Sequence, residues 1–145
     1  MVDKITEFRG KYDFLSNFYS REGLIMDGLT FGSAEAAFQA CKTSSMGDRV
    51  RIANAMTPGI AKKLGQEVKL FDDWEDIKVM EMLRVVRVKF NSNYALMEQL
   101  LDTGDAELIE GNHWGDTFWG QVNGEGENWL GRILMKVRAE LRETP

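Results

Sequence analysis

Three polar side chains in the segment SAEAAFQACK, residues 33–42, have types and a spacing that would suit a reactive site. Glu35, Gln39 and Lys42 are separated by four and then three residues, so a helix would carry them on one face. A carboxylate beside an amine can stabilise a cation and move protons. The same pattern is also typical of a solvated helix face, with Ser33 as the N-cap. The segment alone predicts either a site or a surface.

A second group with chemical potential lies in residues 107–131, which contain three of the four tryptophans and six glycines. Glycine permits sharp turns and tryptophan offers a flat apolar surface, so this composition favours a loop that holds a planar ligand. Asp116 lies between Trp114 and Trp119, and aromatic surroundings can prepare a carboxylate for general acid or base catalysis by excluding solvent. The alternative is that the tryptophans are core residues and Asp116 caps a turn.

Turn and capping signals predict the elements that position the first group. The segment LIMDGLTF, residues 24–31, has apolar residues on both sides of an Asp-Gly pair, which predicts a β-hairpin. The helix that begins at Ser33 follows directly. Two further short helices are predicted in residues 46–56 and, from a Thr-Pro start to a closing glycine, in residues 57–65. The candidate core residues of the first of these are Val50, Ile52 and Ala53.

The strongest periodic signal runs from Asp73 to about Phe90 and predicts a long central helix. Its predicted inward face consists of Ile77, Met80, Leu83, Val86 and Phe90. A shorter helix is predicted from about Asn93 to Leu101, and a last one after Asn128. The inward residues of the last helix are Leu130, Ile133, Leu134, Val137 and Leu141. These elements favour one α+β domain over residues 1–145, mainly helical, with a small sheet based on the hairpin.

The composition is that of an ordinary folded chain and narrows the class of partner. Of 145 residues, 43% are hydrophobic and 28% are charged, and the net charge is -5. There is consequently no overall electrostatic attraction to nucleic acid or to anionic lipid, and a nucleic-acid substrate would need a local basic patch. Arg9, Arg49 and Lys62 are the basic residues to test for phosphate binding.

Metal and disulfide chemistry find little support in the sequence. Cys41 is the single cysteine and His113 the single histidine, so neither an internal disulfide nor a zinc-ligand spacing is present. We predict no metal and no cofactor. The first ten residues contain no apolar stretch suited to a signal or a membrane span, which predicts a cytoplasmic protein without a membrane partner.

Four sequence blocks occur in a fixed order. They are FLSNFY at 14–19, SAEAAFQACK at 33–42, DWEDIKVMEMLRVVRVKF at 73–90, and DTFWG with GENWLGRILMKVR at 116–138. In this order and spacing they resemble the NADAR or YbiA-like family across nearly the whole chain. Members of that family are N-glycosidases, which cleave the bond between ribose C1′ and a nitrogen. One departure is Ala36, where the family often has histidine.

The resemblance implies that Glu35, Lys42 and Asp116 are the catalytic residues. Cleavage of an N-glycosidic bond builds positive charge on the sugar and requires the leaving nitrogen to gain a proton, which two carboxylates can support. Lys42 would either capture the opened sugar as a Schiff base or simply pair with Glu35.

Six further residues are candidates for substrate binding. They are Ser16, Asn17, Phe18, Gln39, Trp74 and Trp119. Gln39 would bind sugar hydroxyls unless it lies in solvent. Ser16 and Asn17 would contact ribose or base, or else form a turn between two aromatic anchors. Trp74 would stack on the substrate, as the family motif implies, or begin the central helix as a buried residue.

The function that the resemblance implies is an N-glycosidase for a ribosylated, phosphorylated nitrogen compound. The substrate would be an early riboflavin-pathway intermediate or ADP-ribosylated guanine in DNA or RNA. A non-catalytic module that binds ADP-ribose or a nucleotide is the main alternative, since the same loop and polar stripe suit either purpose. Convergence of Glu35, Lys42 and Asp116 would distinguish the two. A structural domain without a ligand is a third alternative.

Overall fold

The computed structural model describes residues 2–143, which form two compact units. A central unit comprises residues 17–92, and a terminal unit comprises the described residues up to Ser16 and from Asn93 onward. In chain order the elements are β1 (Lys4–Ile5), a 3₁₀ helix (Gly10–Leu15), β2 (Leu24–Met26), β3 (Leu29–Phe31), α1 (Ala34–Ala40), α2 (Met46–Ala53), α3 (Pro58–Gly65), α4 (Trp74–Asn91), α5 (Tyr94–Asp102), β4 (Glu107–Leu108) and α6 (Trp129–Glu143). The predicted α+β, mainly helical fold is confirmed.

The hairpin of the central unit forms where the sequence predicts it. Strands β2 and β3 pair antiparallel, with Leu24 opposite Phe31 and Met26 opposite Leu29. Asp27 and Gly28 both have positive φ angles, 53° and 80°. Two consecutive left-handed residues define the type I′ turn whose twist suits a two-residue hairpin, and aspartate and glycine are among the residues that adopt it most readily.

Helix α1 lies in the interior of the central unit. Every residue from Ala34 to Ala40 is buried, and the helix packs against α2, α3, α4 and the hairpin. Ser33 caps its N-terminus, where its side chain accepts a hydrogen bond from the Ala36 N–H at 3.1 Å. Small alanines allow the close approach of so many neighbours. The alternative of a solvated face is therefore wrong for this helix, and its two polar residues are interior groups.

The inward face predicted for the central helix is only partly correct. Helix α4 begins after Asp73 as predicted, but Met80 is 68% exposed. The residues buried along α4 are Trp74, Met82, Val85, Val86, Lys89 and Phe90. Steps of three residues advance about 300° on a helix, so the predicted run from Ile77 to Leu83 rotates away from the buried stripe. Val50 on α2 is likewise wrong as a core residue, because it is 38% exposed while Ile52 is fully buried.

A salt bridge ties the hairpin turn to α4. Both terminal guanidinium nitrogens of Arg84 donate to the Asp27 carboxylate, at 2.8 and 3.0 Å, and Nη2 also donates to Glu81 at 2.7 Å. The hydrogen bond from Arg84 holds the pKa of Asp27 below its ordinary value of 3.8 and raises the pKa of Arg84 further above its usual range. Both side chains are more than two-fifths exposed, so solvent screens the pair.

Asp27 makes the unfolding free energy depend on acid. Because its folded pKa is depressed, its stabilising contribution is present above pH 3.8 and is lost as the pH falls through the lower folded value. We expect Asp27→Asn to flatten the loss of stability below that pH in urea unfolding. Asp72→Asn, at an exposed carboxylate of the same unit, is the matched control and should retain the slope. A slope unchanged in Asp27→Asn would contradict this assignment.

The terminal unit is built around α6, whose five predicted inward residues are all buried. Its sheet is a parallel pair in which Lys4 and Ile5 of β1 face Glu107 and Leu108 of β4. The sequence did not predict this pair, because a two-residue strand carries no detectable alternation. Arg138 of α6 is buried and donates to the Thr103 hydroxyl at 2.8 Å. Within residues 2–143, no helix combines the length and apolar character that crossing a bilayer requires.

Candidate active site

Glu35 and Gln39 form a buried, hydrogen-bonded pair on α1. Gln39 Nε2 donates to Glu35 Oε2 at 2.7 Å, and the two residues are 4% and 9% exposed respectively. The four-residue spacing places the groups one turn apart on the same side of the helix, as the sequence predicted. A carboxylate in the interior is costly without hydrogen bonds or a counter-charge. Because burying this pair does not favour folding, the pair is a candidate for a role in function.

Lys42 lies beyond the helix rather than on its polar stripe. Helix α1 ends at Ala40 with Cys41 as its C-cap, and the Lys42 carbonyl accepts a hydrogen bond from the Phe71 N–H at 2.9 Å. Burial lowers the pKa of the Lys42 amine, and the charge of Lys62 lowers it as well, whereas the Glu35 carboxylate opposes the shift. The Lys42 amine and the Glu35 carboxylate therefore interact electrostatically, although Lys42 lies outside α1.

The FLSNFY block supports the N-terminus of α1 through its backbone. The Asn17 carbonyl accepts a hydrogen bond from the Glu35 N–H at 2.9 Å. The Asn17 side chain donates to Met82 Sδ on α4 at 3.5 Å. Phe18, the next residue, is 45% exposed and offers ring surface to a ligand. Asn17 therefore has an anchoring role beside Glu35, and substrate contact by Asn17 and Phe18 stays a prediction.

Trp74 is the buried first residue of the central helix, which was the second of the two roles predicted for it. It is the first residue of α4 and is 6% exposed. Its ring packs against Phe38 of α1 with the centroids 5.4 Å apart and the planes tilted by 50°. Such a contact fixes the start of α4 against the helix that carries Glu35. It leaves little ring surface for stacking on a substrate.

Asp116, in the terminal unit, organises the turn that precedes Trp119. Its Oδ1 atom accepts the N–H groups of Phe118 and Trp119, at 3.1 and 2.9 Å. Asn112 in turn accepts the Asp116 N–H at 2.9 Å and donates to its carbonyl at 2.8 Å. Both backbone donors use the same oxygen, Oδ1. Trp119 is half-buried and packs edge-on against Phe118 at 4.8 Å.

The catalytic candidates are thus divided between the two units. The structure brings Glu35, Gln39 and Lys42 together in the central unit and holds Asp116 and Trp119 side by side in the terminal unit. Ser16 also belongs to the terminal unit, where its N–H donates to the Asp13 carbonyl at 3.0 Å and closes the 3₁₀ helix. Convergence of Asp116 with Glu35 stays a prediction that mutational coupling can test.

Two supporting residues escaped the sequence reasoning. Asn112 holds Asp116, and Gly65 of α3 packs directly against the Gln39 amide. The spacing of asparagine and aspartate within a glycine-rich loop was a weak signal for the first. The sequence predicted Gly65 only as the end of a helix. A glycine that is required by a distant side chain cannot be distinguished in the sequence from one that ends a helix.

The cysteine beside this site is protected from reaction. Cys41 is buried, and burial is the main cause that raises the pKa of its thiol to about 12, with Glu81 adding to the shift. The reactive thiolate is consequently scarce at neutral pH. Among residues 2–143, no cluster of three or more histidine, cysteine, aspartate or glutamate side chains is arranged to hold a metal ion.

An interior carboxylate with an amide partner and a nearby amine of lowered pKa is a combination found at active sites. The family model that is described as "NADAR domain" matches residues 6–142 of this chain. A riboflavin biosynthesis protein of Vibrio vulnificus is 41% identical over 135 residues, which are 91% of this chain and 36% of that protein. The N-glycosidase YbiA of Shigella flexneri is 35% identical over 97% of this chain and 91% of its own.

A solved structure agrees with these sequence matches. The NMR structure of Escherichia coli YbiA has a TM-score of 0.85 and 32% identity, and the alignment covers 98% of this chain and 87% of that one. This chain belongs to the NADAR domain family, as its four sequence blocks implied. It is a hydrolase of the N-glycosidase class. The chain spans nearly all of YbiA but about a third of the Vibrio protein.

Proposed function

We propose that this chain hydrolyses the bond between ribose C1′ and nitrogen in a phosphorylated ribosylaminopyrimidine of the early riboflavin pathway. The observation that carries the proposal is the buried Glu35–Gln39 pair coupled to the lowered pKa of Lys42. The name of the Vibrio relative, a riboflavin biosynthesis protein, supports this substrate class.

Glu35 is the carboxylate that acts on the sugar. Departure of the nitrogen leaves positive charge at C1′, and an ionised carboxylate stabilises that charge. Protonation of the leaving nitrogen requires a second group, and Asp116 is the candidate that the family resemblance implies. The products are the free aminopyrimidine and ribose 5-phosphate, with one water consumed.

Lys42 supplies the positive charge of the site. As an ammonium it attracts the phosphate or holds the Glu35 carboxylate, and as a neutral amine it is a nucleophile. Burial and Lys62 shift the balance toward the neutral form, so covalent capture of the sugar is within its chemistry.

Incubation with defined substrates tests this function. The protein is mixed with a phosphoribosyl-aminopyrimidine and, separately, with ADP-ribosylated guanine in DNA, and mass spectrometry follows the free base and the released sugar. Turnover of the aminopyrimidine above the rate without protein is the expected result. Release from DNA alone would replace the substrate class. Binding of either compound without any release would favour the non-catalytic module and reject the proposal.

A further inference from the structure

The Gln39 amide is committed to Glu35. Its Nε2 donates at 2.7 Å to a carboxylate that is 9% exposed. An N–H donor binds an ionised carboxylate more strongly than a protonated one, so this bond favours the charged form of Glu35. Since the two residues lie one turn apart, the bond also fixes the direction of the Glu35 side chain.

The other side of the Gln39 amide packs against the backbone of α3 at Gly65. A Cβ atom built at Gly65 would overlap Gln39 Oε1 and would lie 2.7 Å from Cδ and 3.0 Å from the Gln39 Cβ. These distances are shorter than real Cβ contacts allow, and Gln39 has little room to withdraw because it is 4% exposed. Glycine is therefore required at position 65 by the amide, not by its own backbone conformation.

The remaining amide oxygen faces Gly65. Gln39 Oε1 is buried and has no hydrogen-bond partner among residues 2–143. Rotating the amide by half a turn would place this oxygen against the Glu35 carboxylate, where two acceptors repel. The orientation is therefore set by the bond to Glu35 and by the contact with Gly65.

We propose that Gln39 is a positioning residue that holds Glu35 ionised and oriented, and that Gly65 provides the space this requires. The inference rests on the proposed function, in which Glu35 acts on the substrate. The sugar-binding role predicted for Gln39 stays a prediction, and the same variants test it against the positioning role.

Gln39→Met tests the positioning role, because methionine keeps the length of the side chain and removes the donor. Losing a hydrogen bond to a charged group is expected to raise the pKa of Glu35 and move the acidic limb of the pH profile of kcat upward by about one pH unit. Misorientation of Glu35 should lower kcat by about 10-fold to 100-fold at neutral pH, while KM changes little. Thermal unfolding checks that the variant is folded.

The other charged groups around α1 are unchanged in this variant. They are Lys42 at its end, Arg49 from α2, Lys62 from α3, Glu81 and Arg84 from α4, and Asp27 from the hairpin turn. A shift of the acidic limb can therefore be assigned to the lost Gln39 donor.

Gly65→Ala tests the same idea without touching a polar group. The added methyl group must displace the Gln39 amide, so the same fall in kcat and the same shift of the acidic limb are expected. Gly59→Ala on α3 is the matched control, because the nearest atom to its added Cβ is 3.9 Å away. Gly59→Ala should leave both quantities unchanged.

The results for these variants decide between the two roles of Gln39. A raised KM with an unchanged acidic limb in Gln39→Met would favour the sugar-binding role and overturn the proposal. Unaltered kinetics in folded Gly65→Ala would remove Gly65 from it. Glu35→Gln, assayed in parallel, distinguishes failure of the positioning role from failure of the proposed function. If Glu35→Gln retains activity, the function assigned to Glu35 is wrong. If Glu35→Gln is inactive while Gln39→Met has normal kinetics, only the positioning role of Gln39 is wrong.

Discussion

Glu35→Gln is expected to lower kcat by about 100-fold to 1,000-fold, equivalent to about 3 to 4 kcal/mol of lost transition-state stabilisation. The substitution removes the negative charge that opposes the growing cation at C1′ but keeps the shape of the side chain. The new amide oxygen still accepts the hydrogen bond from Gln39 Nε2, so the fold of α1 should be retained. Initial rates on the aminopyrimidine, with thermal unfolding measured alongside, give the answer.

A surface carboxylate shows whether charge in general matters. Glu22→Gln removes an exposed carboxylate of the same unit and should leave kcat unchanged. If Glu35→Gln turned over substrate at a near-normal rate, its catalytic role would be lost. The same change also removes the carboxylate that supports the charged form of Lys42, so the pKa of that amine should fall further in this variant.

Asp116→Asn extends the carboxylate prediction to the terminal unit. An asparagine oxygen can still accept from the Phe118 and Trp119 N–H groups, so the turn survives while the charge is lost. A similar fall in kcat with unchanged thermal stability is expected if Asp116 manages protons. Normal activity would mean that its capping role is its whole role. Non-additive losses in the double variant with Glu35→Gln would indicate that the two carboxylates act on one substrate.

The elements with local signals were predictable from the sequence. The Asp-Gly turn, the caps at Ser33 and Thr57, the start of α5 near Asn93 and the apolar stripe of α6 all depend on neighbours within a few residues, and all occur as predicted. Met80 and Val50 were misplaced because apolar character at approximately helical spacing does not reveal which side of a helix the rest of the chain covers.

The candidate site was predictable in its residues but not in its supports. Helical spacing was enough to place Glu35 and Gln39 together. Helical spacing could not show that the Gln39 amide donates a hydrogen bond to Glu35, because a buried polar stripe and a solvated one have the same spacing in the sequence. Gly65 and Asn112 act through contacts with residues that are distant or non-periodic in sequence, and only the folded chain displays those contacts.

Borohydride trapping separates the two roles open to Lys42. In the covalent route the amine attacks C1′ of the ring-opened sugar, the bond to the leaving nitrogen breaks as that nitrogen gains a proton, and water later hydrolyses the lysine imine to free the sugar. Borohydride added during turnover reduces the imine to a stable secondary amine. Intact-mass measurement should then show the protein carrying one reduced ribose 5-phosphate, located on Lys42 by peptide mapping.

The Lys42→Arg variant makes this test specific, because a guanidinium stays protonated and cannot act as the nucleophile although it keeps the positive charge. We expect loss of the adduct and a fall in kcat of at least about 100-fold. Lys63→Arg, at an exposed lysine of α3, should retain both, and wild-type protein treated with ribose 5-phosphate alone measures non-specific glycation. Turnover by the wild type without any adduct would reject covalent capture and leave direct attack by water, with Lys42 as the electrostatic partner of Glu35. An adduct that persists in Lys42→Arg would assign the nucleophile to another lysine.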